Sequence, residues 1–122
     1  MSLEHEDLTR QIIGAAYEVH NQLGYGFLES VYKNAMVVEL RERGLFADPE
    51  ADVYVNYKGV QVGHFRADLF VENRVLVELK VATEYCPSDE AQLLNELKAT
   101  GVKVGLLINF GRTKVAFKRF VF

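Results

Sequence analysis

The chain has 122 residues, of which 49% are hydrophobic and 25% are charged. This size and composition predict one globular domain over residues 1–122. Its one cysteine, Cys86, excludes a disulfide framework and a cysteine-rich zinc site. A lone cysteine favours a reduced thiol in a cytoplasmic protein. No apolar run approaches about 18 residues, so we expect no membrane partner.

The charge is unevenly distributed along the chain. The net charge of −3 argues mildly against a general nucleic-acid coat protein. Residues 1–100 carry nine basic and seventeen acidic side chains, whereas residues 101–122 carry five basic and no acidic ones. Such a basic end fits either a phosphate-binding patch or a solvated edge strand whose Lys and Arg side chains prevent aggregation.

Two helices are predicted before any strand. Apolar residues recur at helical spacing over residues 6–22, and Gly24-Tyr25-Gly26 ends this segment. A second helix is predicted from Leu28 to Arg43, with Gly44 as its C-cap.

The rest of the chain is predicted to form five strands and a third helix. The strands are residues 52–58, 61–71, 75–82, 102–110 and 114–122. Ser88 is the predicted N-cap of a helix that ends at Gly101. The resulting order is α-α-β-β-β-α-β-β, a mixed α+β (α/β) fold with a central mixed sheet flanked by helices. The third helix joins two strands that should run parallel.

Charged residues interrupt the predicted hairpin of residues 61–82. Asp68 lies in its first strand, and Glu78 and Lys80 lie in its second, among residues otherwise suited to burial. An ionised group in an apolar setting costs several kcal/mol unless it is paired or bound to a metal. The pattern therefore indicates a site that holds a divalent cation and attacks a phosphodiester.

The register of this hairpin decides whether the site can form. A turn at residues 72–74 places Val71 opposite Val75 and Asp68 opposite Glu78. Two facing carboxylates repel each other unless a cation lies between them. The other face is then wholly apolar, with Phe65, Ala67, Leu69, Val77, Leu79 and Val81. The alternative is a surface-facing strand edge on which Glu78 and Lys80 are merely solvated.

These residues resemble a known nuclease motif. Asp68 with Glu78-Leu79-Lys80 resembles the core of the PD-(D/E)XK nuclease superfamily, with Ala67 in place of the nominal Pro. A second stretch matches the signature of the GxxExxY family: Gly26-Phe27-Leu28-Glu29-Ser30-Val31-Tyr32. Other stretches similar to that family are residues 13–20, 65–69, 91–94, 97–101 and 105–111. The resemblance implies a restriction-endonuclease-like fold and a phosphodiesterase-type site.

Metal-binding and catalytic roles follow for four residues. Asp68 and Glu78 are the expected ligands of Mg²⁺ or Mn²⁺, and the resemblance implies Glu29 as the third acidic residue. Lys80 is the expected catalytic cation, which orients the attacking water or stabilises charge on the phosphate. The alternatives are a salt bridge for Lys80 and a carboxylate favoured by the helix dipole for Glu29.

Two further residues are candidates for contact with substrate. Tyr32 lies one turn after Glu29 and either contacts the substrate phosphate or Glu29, or is a core aromatic. Gln92 lies one turn into the third helix and can reach the site from there. In related sequences a Gln-x-x-x-Tyr motif occupies this helix, whereas here the position of the Tyr is Glu96. That difference removes whatever contact the Tyr makes.

The sequence therefore supports two functions of different classes. The first is a metal-dependent nuclease that cuts DNA or RNA through a metal-activated water. The second is an inactive nuclease-fold module that binds nucleic acid or protein, which the acidic net charge and Glu96 favour. The small chain leaves little room for target recognition, so a protein partner for targeting remains open. A homodimer through the aromatic C-terminal strand (Phe117, Phe120, Phe122) is compatible with both functions.

Overall fold

The computed structural model describes residues 5–84 and 86–122, and its elements follow the predicted order. The elements are α1 (Glu6–Leu23), α2 (Glu29–Glu42), β1 (Ala47–Tyr57), β2 (Val60–Val71), β3 (Val75–Lys80), α3 (Pro87–Thr100), β4 (Val104–Phe110) and β5 (Val115–Val121). The clearest difference in bounds is β1, which begins at Ala47 rather than at residue 52.

The strands form one five-stranded mixed sheet in the order β1-β2-β3-β4-β5. The strands β3 and β4 are parallel, as predicted for strands joined by α3, and the other neighbours are antiparallel. The helices α1 and α2 contribute to a large apolar core with one face of the sheet. The helix α3 packs on the opposite face in a smaller cluster that includes Leu76, Leu93 and Leu97. Burial on both faces explains why β3 and β4 read as nearly continuous apolar runs.

A glycine on β4 sets how closely α3 approaches the sheet. A Cβ atom at Gly105 would lie 3.0 Å from the Cδ1 atoms of both Leu93 and Leu97. With any larger residue at this position, the leucine side chains would have to shift by a few tenths of an ångström. The position of α3, and of every polar group that it carries towards β3, therefore depends on Gly105.

The helix ends show one confirmed prediction and one that was wrong. After α2, Gly44 has φ +77°, and the backbone N–H of Leu45 donates to the carbonyl of Leu40. This Schellman-type ending needs glycine because a side chain is strained there. At α3, however, the N-cap is Cys86 rather than Ser88. Pro87 begins this helix because its fixed φ and missing N–H suit a first helical position.

The hairpin of β2 and β3 has the predicted register but is shorter than predicted. Val71 pairs with Val75 and Leu69 with Val77, and the ladder ends there. Beyond this point β2 continues with β1, whereas β3 continues with β4 and pairs Glu78 with Leu107. The prediction that Asp68 lies directly opposite Glu78 in a ladder pair was therefore wrong, because the two strands separate one residue earlier.

The same separation changes the face of one residue. We predicted Ala67 on the apolar face with Leu69, but Ala67 packs in the α3 cluster while Leu69 packs in the larger core. Pairing between β1 and β2 also skips Asp68 and Glu50, whose φ of 55° is left-handed. Strict alternation of side chains fails at Asp68, where the β1–β2 pairing skips one residue on each strand.

Candidate active site

The centre of the candidate site is Glu78, in the middle of the buried strand β3. Its side chain is only 2% exposed and lies on the face of the sheet covered by α3. This burial contradicts the surface-edge alternative for Glu78. A carboxyl group in such a position must be neutralised, paired or bound to a cation.

Asp68 reaches this centre because β2 leaves β3. Its Oδ2 atom accepts a hydrogen bond of 2.7 Å from the backbone N–H of Leu79. That N–H faces the gap left by the departing strand, so the Asp68 carboxylate replaces a backbone carbonyl as its acceptor. The charge of Asp68 also acts on the Glu78 carboxyl and contributes to raising its pKa. The two predicted acidic residues are thus brought together without forming a ladder pair.

A third carboxyl group, that of Glu96, completes this cluster from α3. Glu96 is fully buried and acts on the pKa of the Glu78 carboxyl. Burial, followed by hydrogen bonding to Glu96 and the charge of Asp68, raises the pKa of Glu78 to about 11. Glu78 therefore holds a proton at neutral pH, because carboxylates this close together cannot all ionise in a dry environment.

The two buried glutamates are each only partly satisfied. Oε1 of Glu78 and Oε1 of Glu96 have no hydrogen-bond partner. Oε2 of Glu96 accepts a hydrogen bond of 3.1 Å from Nε2 of Gln92. The contact of Gln92 here is with Glu96, and its predicted contact with substrate stays a prediction. Sequence analysis treated Glu96 only as a replacement for Tyr, although its position one turn after Gln92 was a signal that both side chains point the same way.

Lys80 extends from the end of β3 into the same acidic surroundings. Its side chain is 25% exposed, and Nζ lies 3.7 Å from Oδ1 of Asp89. Partial burial lowers the pKa of its ammonium group. The attraction of nearby acidic side chains raises this pKa by more than burial lowers it, and these side chains are Glu29, Asp89, Glu78 and Asp68. The ammonium group is therefore charged at neutral pH. Asp89, an acidic residue in the first turn of α3, is the ion-pair partner of Lys80.

Glu29 lies at the start of α2 and faces this cluster. Burial raises the pKa of its half-buried carboxyl, while the charge of Lys80 opposes the shift and Asp68 reinforces it. Glu29, Asp68 and Lys80 are far apart in the sequence, but the charges of Asp68 and Lys80 act on the Glu29 carboxyl in the fold. Glu29 is more accessible than Glu78 and is the first residue of its helix.

Tyr32 lies in the core rather than at the surface of the site. It is fully buried, its ring stacks on Phe110 at a centroid distance of 4.6 Å, and its hydroxyl donates to the carbonyl of Gly24. The hydroxyl also accepts from the backbone N–H of Phe27. These contacts favour the core-aromatic alternative over contact with substrate. Tyr32 fixes the loop that leads into α2, and thereby the start of the helix that carries Glu29.

Asn109 holds the backbone beyond Lys80 in place. Its side-chain oxygen accepts from the N–H of Ala82 at 2.8 Å, and its amide donates to the carbonyl of the same residue at 2.9 Å. The Asn109 side chain thereby continues the β3–β4 pairing past the last strand residue. Sequence analysis missed this role because an Asn within an apolar strand gives no signal of the partner that it bonds.

The donor set fits a hard divalent cation only in part. Within residues 5–84 and 86–122, no three His, Cys, Asp or Glu side chains are grouped closely enough to hold a metal ion. Mg²⁺, however, binds through one or two carboxylates together with waters and substrate phosphates, rather than in a complete protein cage. Asp68 and Glu78, with the unpartnered Oε1 of Glu78, meet that smaller requirement.

The sheet, the flanking helices and the Asp-Glu-Lys arrangement define a nuclease-type domain. The chain belongs to the PD-(D/E)XK nuclease superfamily, whose family model matches residues 6–120. No curated protein matches the chain with significant sequence similarity. Nucleases of this superfamily generally use divalent metals.

Two solved structures share the fold. The crystal structure of SSO0001 aligns with a TM-score of 0.63 and 14% identity, covering 96% of this chain and 59% of that one. An alkaline exonuclease from Laribacter hongkongensis aligns with a TM-score of 0.51 and 10% identity, covering 93% of this chain and 81% of that one. The chain thus spans well under two thirds of SSO0001. Among the described residues, no helix is both long and apolar enough to cross a membrane.

Proposed function

We propose that this protein is a metal-dependent nuclease that hydrolyses phosphodiester bonds in DNA or RNA. The observation that carries this proposal is the Glu78 carboxyl, which is buried, has an oxygen that lacks a partner, and lies one residue before the N–H that Asp68 accepts from. Superfamily membership supports it. The alkaline exonuclease, a structural neighbour, supports a nucleic-acid substrate.

The chain's own residues would divide the chemistry between them. Asp68 and Glu78 would hold Mg²⁺ or Mn²⁺. When bound, such a cation would stabilise negative charge on the phosphate and lower the pKa of a water molecule. Glu29 would orient that water from the start of α2. Lys80, charged and partly exposed, would stabilise the negative charge that gathers on the phosphate oxygens.

A second candidate is a nuclease-fold module that binds nucleic acid or protein without cleaving it. Two observations favour this candidate: Glu78 holds a proton at neutral pH, and the described residues lack a grouped trio of metal ligands. A bound cation would have to displace that proton. If no cation displaces the proton, the buried carboxyl groups have only a structural role.

Cleavage of labelled single- and double-stranded DNA and RNA, with Mg²⁺ and with Mn²⁺, tests the proposal. We expect the wild type to cleave at least one substrate and Glu78→Gln, purified identically, to cleave none. Glu42→Gln is a matched control, because Glu42 is an exposed glutamate at the end of α2. Equal cleavage by the wild type and Glu78→Gln would indicate a contaminating nuclease. It would favour the second candidate, the module that binds without cleaving.

The narrower family, the domain organisation, the cellular location and the partners of the protein are part of the same proposal. We propose membership of the GxxExxY family, action as one domain over residues 1–122, and a cytoplasmic location. The basic C-terminal segment includes the edge strand β5, in which Phe117 is 47% exposed, and Phe122 directly after it, which is 54% exposed. Pairing of two copies along this edge, or a protein partner that supplies targeting, is compatible with the nuclease proposal.

A further inference from the structure

A groove of about 370 Å³ lies between α1 and the edge strand β5, and we call it the α1–β5 groove. Tyr17 lines it from α1 and is 45% exposed, and Phe117 lines it from β5 and is 47% exposed. Arg119 lines the groove on the same side of β5 as Phe117. Single exposed rings are ordinary on a protein surface, but two rings and a guanidinium along one groove form a surface suited to a ligand.

The aromatic and basic side chains continue past the groove to the loop before α2. Nε2 of His20 donates to the carbonyl of Gly111 at 2.7 Å, which ties the end of α1 to the turn before β5. Beside this contact, the guanidinium of Arg112 lies 6.0 Å from the centre of the Tyr25 ring. Tyr25 is 40% exposed and precedes Glu29 by four residues. The groove is therefore extended towards the start of the helix that carries Glu29.

The positive charge of the groove comes from its β5 side. On α1, the guanidinium of Arg10 lies 3.2 Å from the Glu6 carboxylate and 3.7 Å from that of Asp7, so its charge is already matched. Residues 101–122, in contrast, carry five basic and no acidic side chains. A segment of this charge attracts phosphates.

Exposed rings next to arginines are the features by which proteins bind unpaired nucleotides. Every base has a flat face that stacks on an aromatic ring, and arginine contacts both the phosphates and the bases. In a duplex the base faces are stacked on one another, so only a single strand can use such rings. A solvated edge strand requires the cations but not the rings. The side chains concerned are Tyr17, Tyr25, Phe117, Arg112 and Arg119.

We propose that the α1–β5 groove and its extension bind single-stranded nucleic acid, whose bases stack on the three rings and whose phosphates pair with the two arginines. This inference rests on the proposed function, which supplies nucleic acid as the ligand. It deepens that function by naming single strands as the substrate class. A strand bound in this way continues towards Glu29 and the candidate active site.

Fluorescence anisotropy of labelled oligo(dT) and oligo(rU) in EDTA tests the inference without metal and without cleavage. We expect Tyr17→Ala to weaken the Kd by about tenfold, because a stacked base is lost. Tyr17→Phe keeps the ring and should bind as the wild type does. Tyr57→Ala is the matched control, because Tyr57 is 61% exposed on β1, at the opposite edge of the sheet. Comparison of the two oligonucleotides distinguishes DNA from RNA.

The dependence of binding on salt tests the arginines. Removal of one phosphate contact to a single strand should reduce the slope of log K against log salt by about 0.7, which we expect for Arg112→Ala. Lys118→Ala removes the same charge from β5, but Lys118 pairs with Glu90 of α3 at 3.1 Å and should affect the slope little. An unchanged slope in Arg112→Ala would count against the inference.

The outcomes separate this inference from the proposed function. If the wild type binds neither oligonucleotide, if Tyr17→Ala binds as tightly as the wild type, or if a duplex competes as well as a single strand, the inference fails. Cleavage by the wild type and Glu78→Gln still decides the nuclease proposal in each of these cases. Weaker binding in Tyr17→Ala, with no cleavage by the wild type, would support the groove and overturn the nuclease.

A second copy of the chain is the competing occupant of this groove. Sedimentation of the wild type and of Phe117→Ala distinguishes it from nucleic acid. We expect both to sediment as the same species. A wild-type dimer that Phe117→Ala converts to a monomer would make the groove an interface between copies and would overturn the inference.

Discussion

The carboxylate of Asp68 takes the place of a backbone acceptor for the N–H of Leu79, at 2.7 Å. The β2–β3 ladder ends at Leu69 and Val77, so this N–H would otherwise face a gap between separating strands. One side chain therefore both closes the end of the hairpin and brings a carboxylate to Glu78. Because Asp68 has both roles, two substitutions at this position should have different effects on stability.

Asp68→Asn and Asp68→Ala should differ in stability but not in cleavage. Asn keeps an oxygen for the Leu79 N–H, whereas Ala leaves that N–H unsatisfied, a loss of about 1–3 kcal/mol in the free energy of unfolding. Neither variant should cleave nucleic acid, because neither carries the carboxylate. Urea denaturation and the cleavage assay measure the two effects. Equal stability of the two variants would show that the hydrogen bond contributes nothing.

The free protein should become less stable as the pH rises through neutrality. The pKa of Glu78 rises from 4.5 to about 11 on folding, so the folded state binds this proton more tightly. Its contribution to stability is complete below pH 4.5 and is lost progressively as the pH rises towards 11. The Tm measured without metal should therefore be lower at about pH 8.5 than at about pH 5.5, and Glu78→Gln should reduce the difference.

Cys86 must be removed for this comparison. Its hydrogen bond from Ser88 lowers the pKa of the thiol, which makes the folded state release a proton more readily as the pH rises. That effect opposes the one from Glu78. Cys86→Ser is therefore the background of choice, and a Tm that rises from acid to alkaline pH in this background would contradict a protonated Glu78.

Lys80→Met should impair catalysis without weakening cation binding. Removal of a positioned charge from a transition state typically costs about 10²–10³ in kcat. The Kd for Mn²⁺ should stay the same or fall, since a positive charge has left the neighbourhood of Asp68 and Glu78. The lost ion pair with Asp89 is partly exposed and should change stability by about 0–1 kcal/mol. Weaker Mn²⁺ binding in this variant would argue that Lys80 orders the carboxylates.

Tyr32→Phe should lower stability and leave kcat unchanged. The variant removes the hydrogen bond to the carbonyl of Gly24 but keeps the stacking on Phe110. We expect a loss of about 0.5–1.5 kcal/mol in the free energy of unfolding. Thermal denaturation and kcat at saturating substrate separate the two roles. A large fall in kcat with unchanged stability would restore the substrate-contact alternative.

Gly105→Ala should lower stability and weaken Mn²⁺ binding, although Gly105 is not a residue of the candidate site. The added methyl group would meet the Cδ1 atoms of Leu93 and Leu97 at 3.0 Å, so these side chains or α3 itself must move. Overpacking of this kind costs about 1–3 kcal/mol. Because α3 covers the face of the sheet that carries Glu78, the Kd for Mn²⁺ should also weaken, whereas Ala99→Ser on an exposed position of α3 should change neither quantity. Unaltered Mn²⁺ binding in Gly105→Ala would show that the site tolerates movement of α3.

The sequence by itself determined the order of elements, the parallel strands β3 and β4 and the register of the β2–β3 hairpin. These features depend on local signals: apolar periodicity, helix-ending glycines and the length of the turn at residues 72–74. Asp68, Glu78 and Lys80 were found in the same way, because charges within strand-like apolar runs are visible without a structure. The proximity of Glu29 was implied only by resemblance to a known family.

Only the tertiary structure decided how these residues meet. The β2–β3 ladder ends at Leu69 and Val77, although β2 stays paired with β1 and β3 with β4, and no local pattern encodes this end. That separation displaced Asp68 from its predicted ladder position and moved Ala67 to the other face. The burial of Glu96 against Glu78 likewise depends on how closely α3 packs over Gly105. A carboxyl pair of this kind is a long-range contact, so it exists only once the helix and the strand have packed.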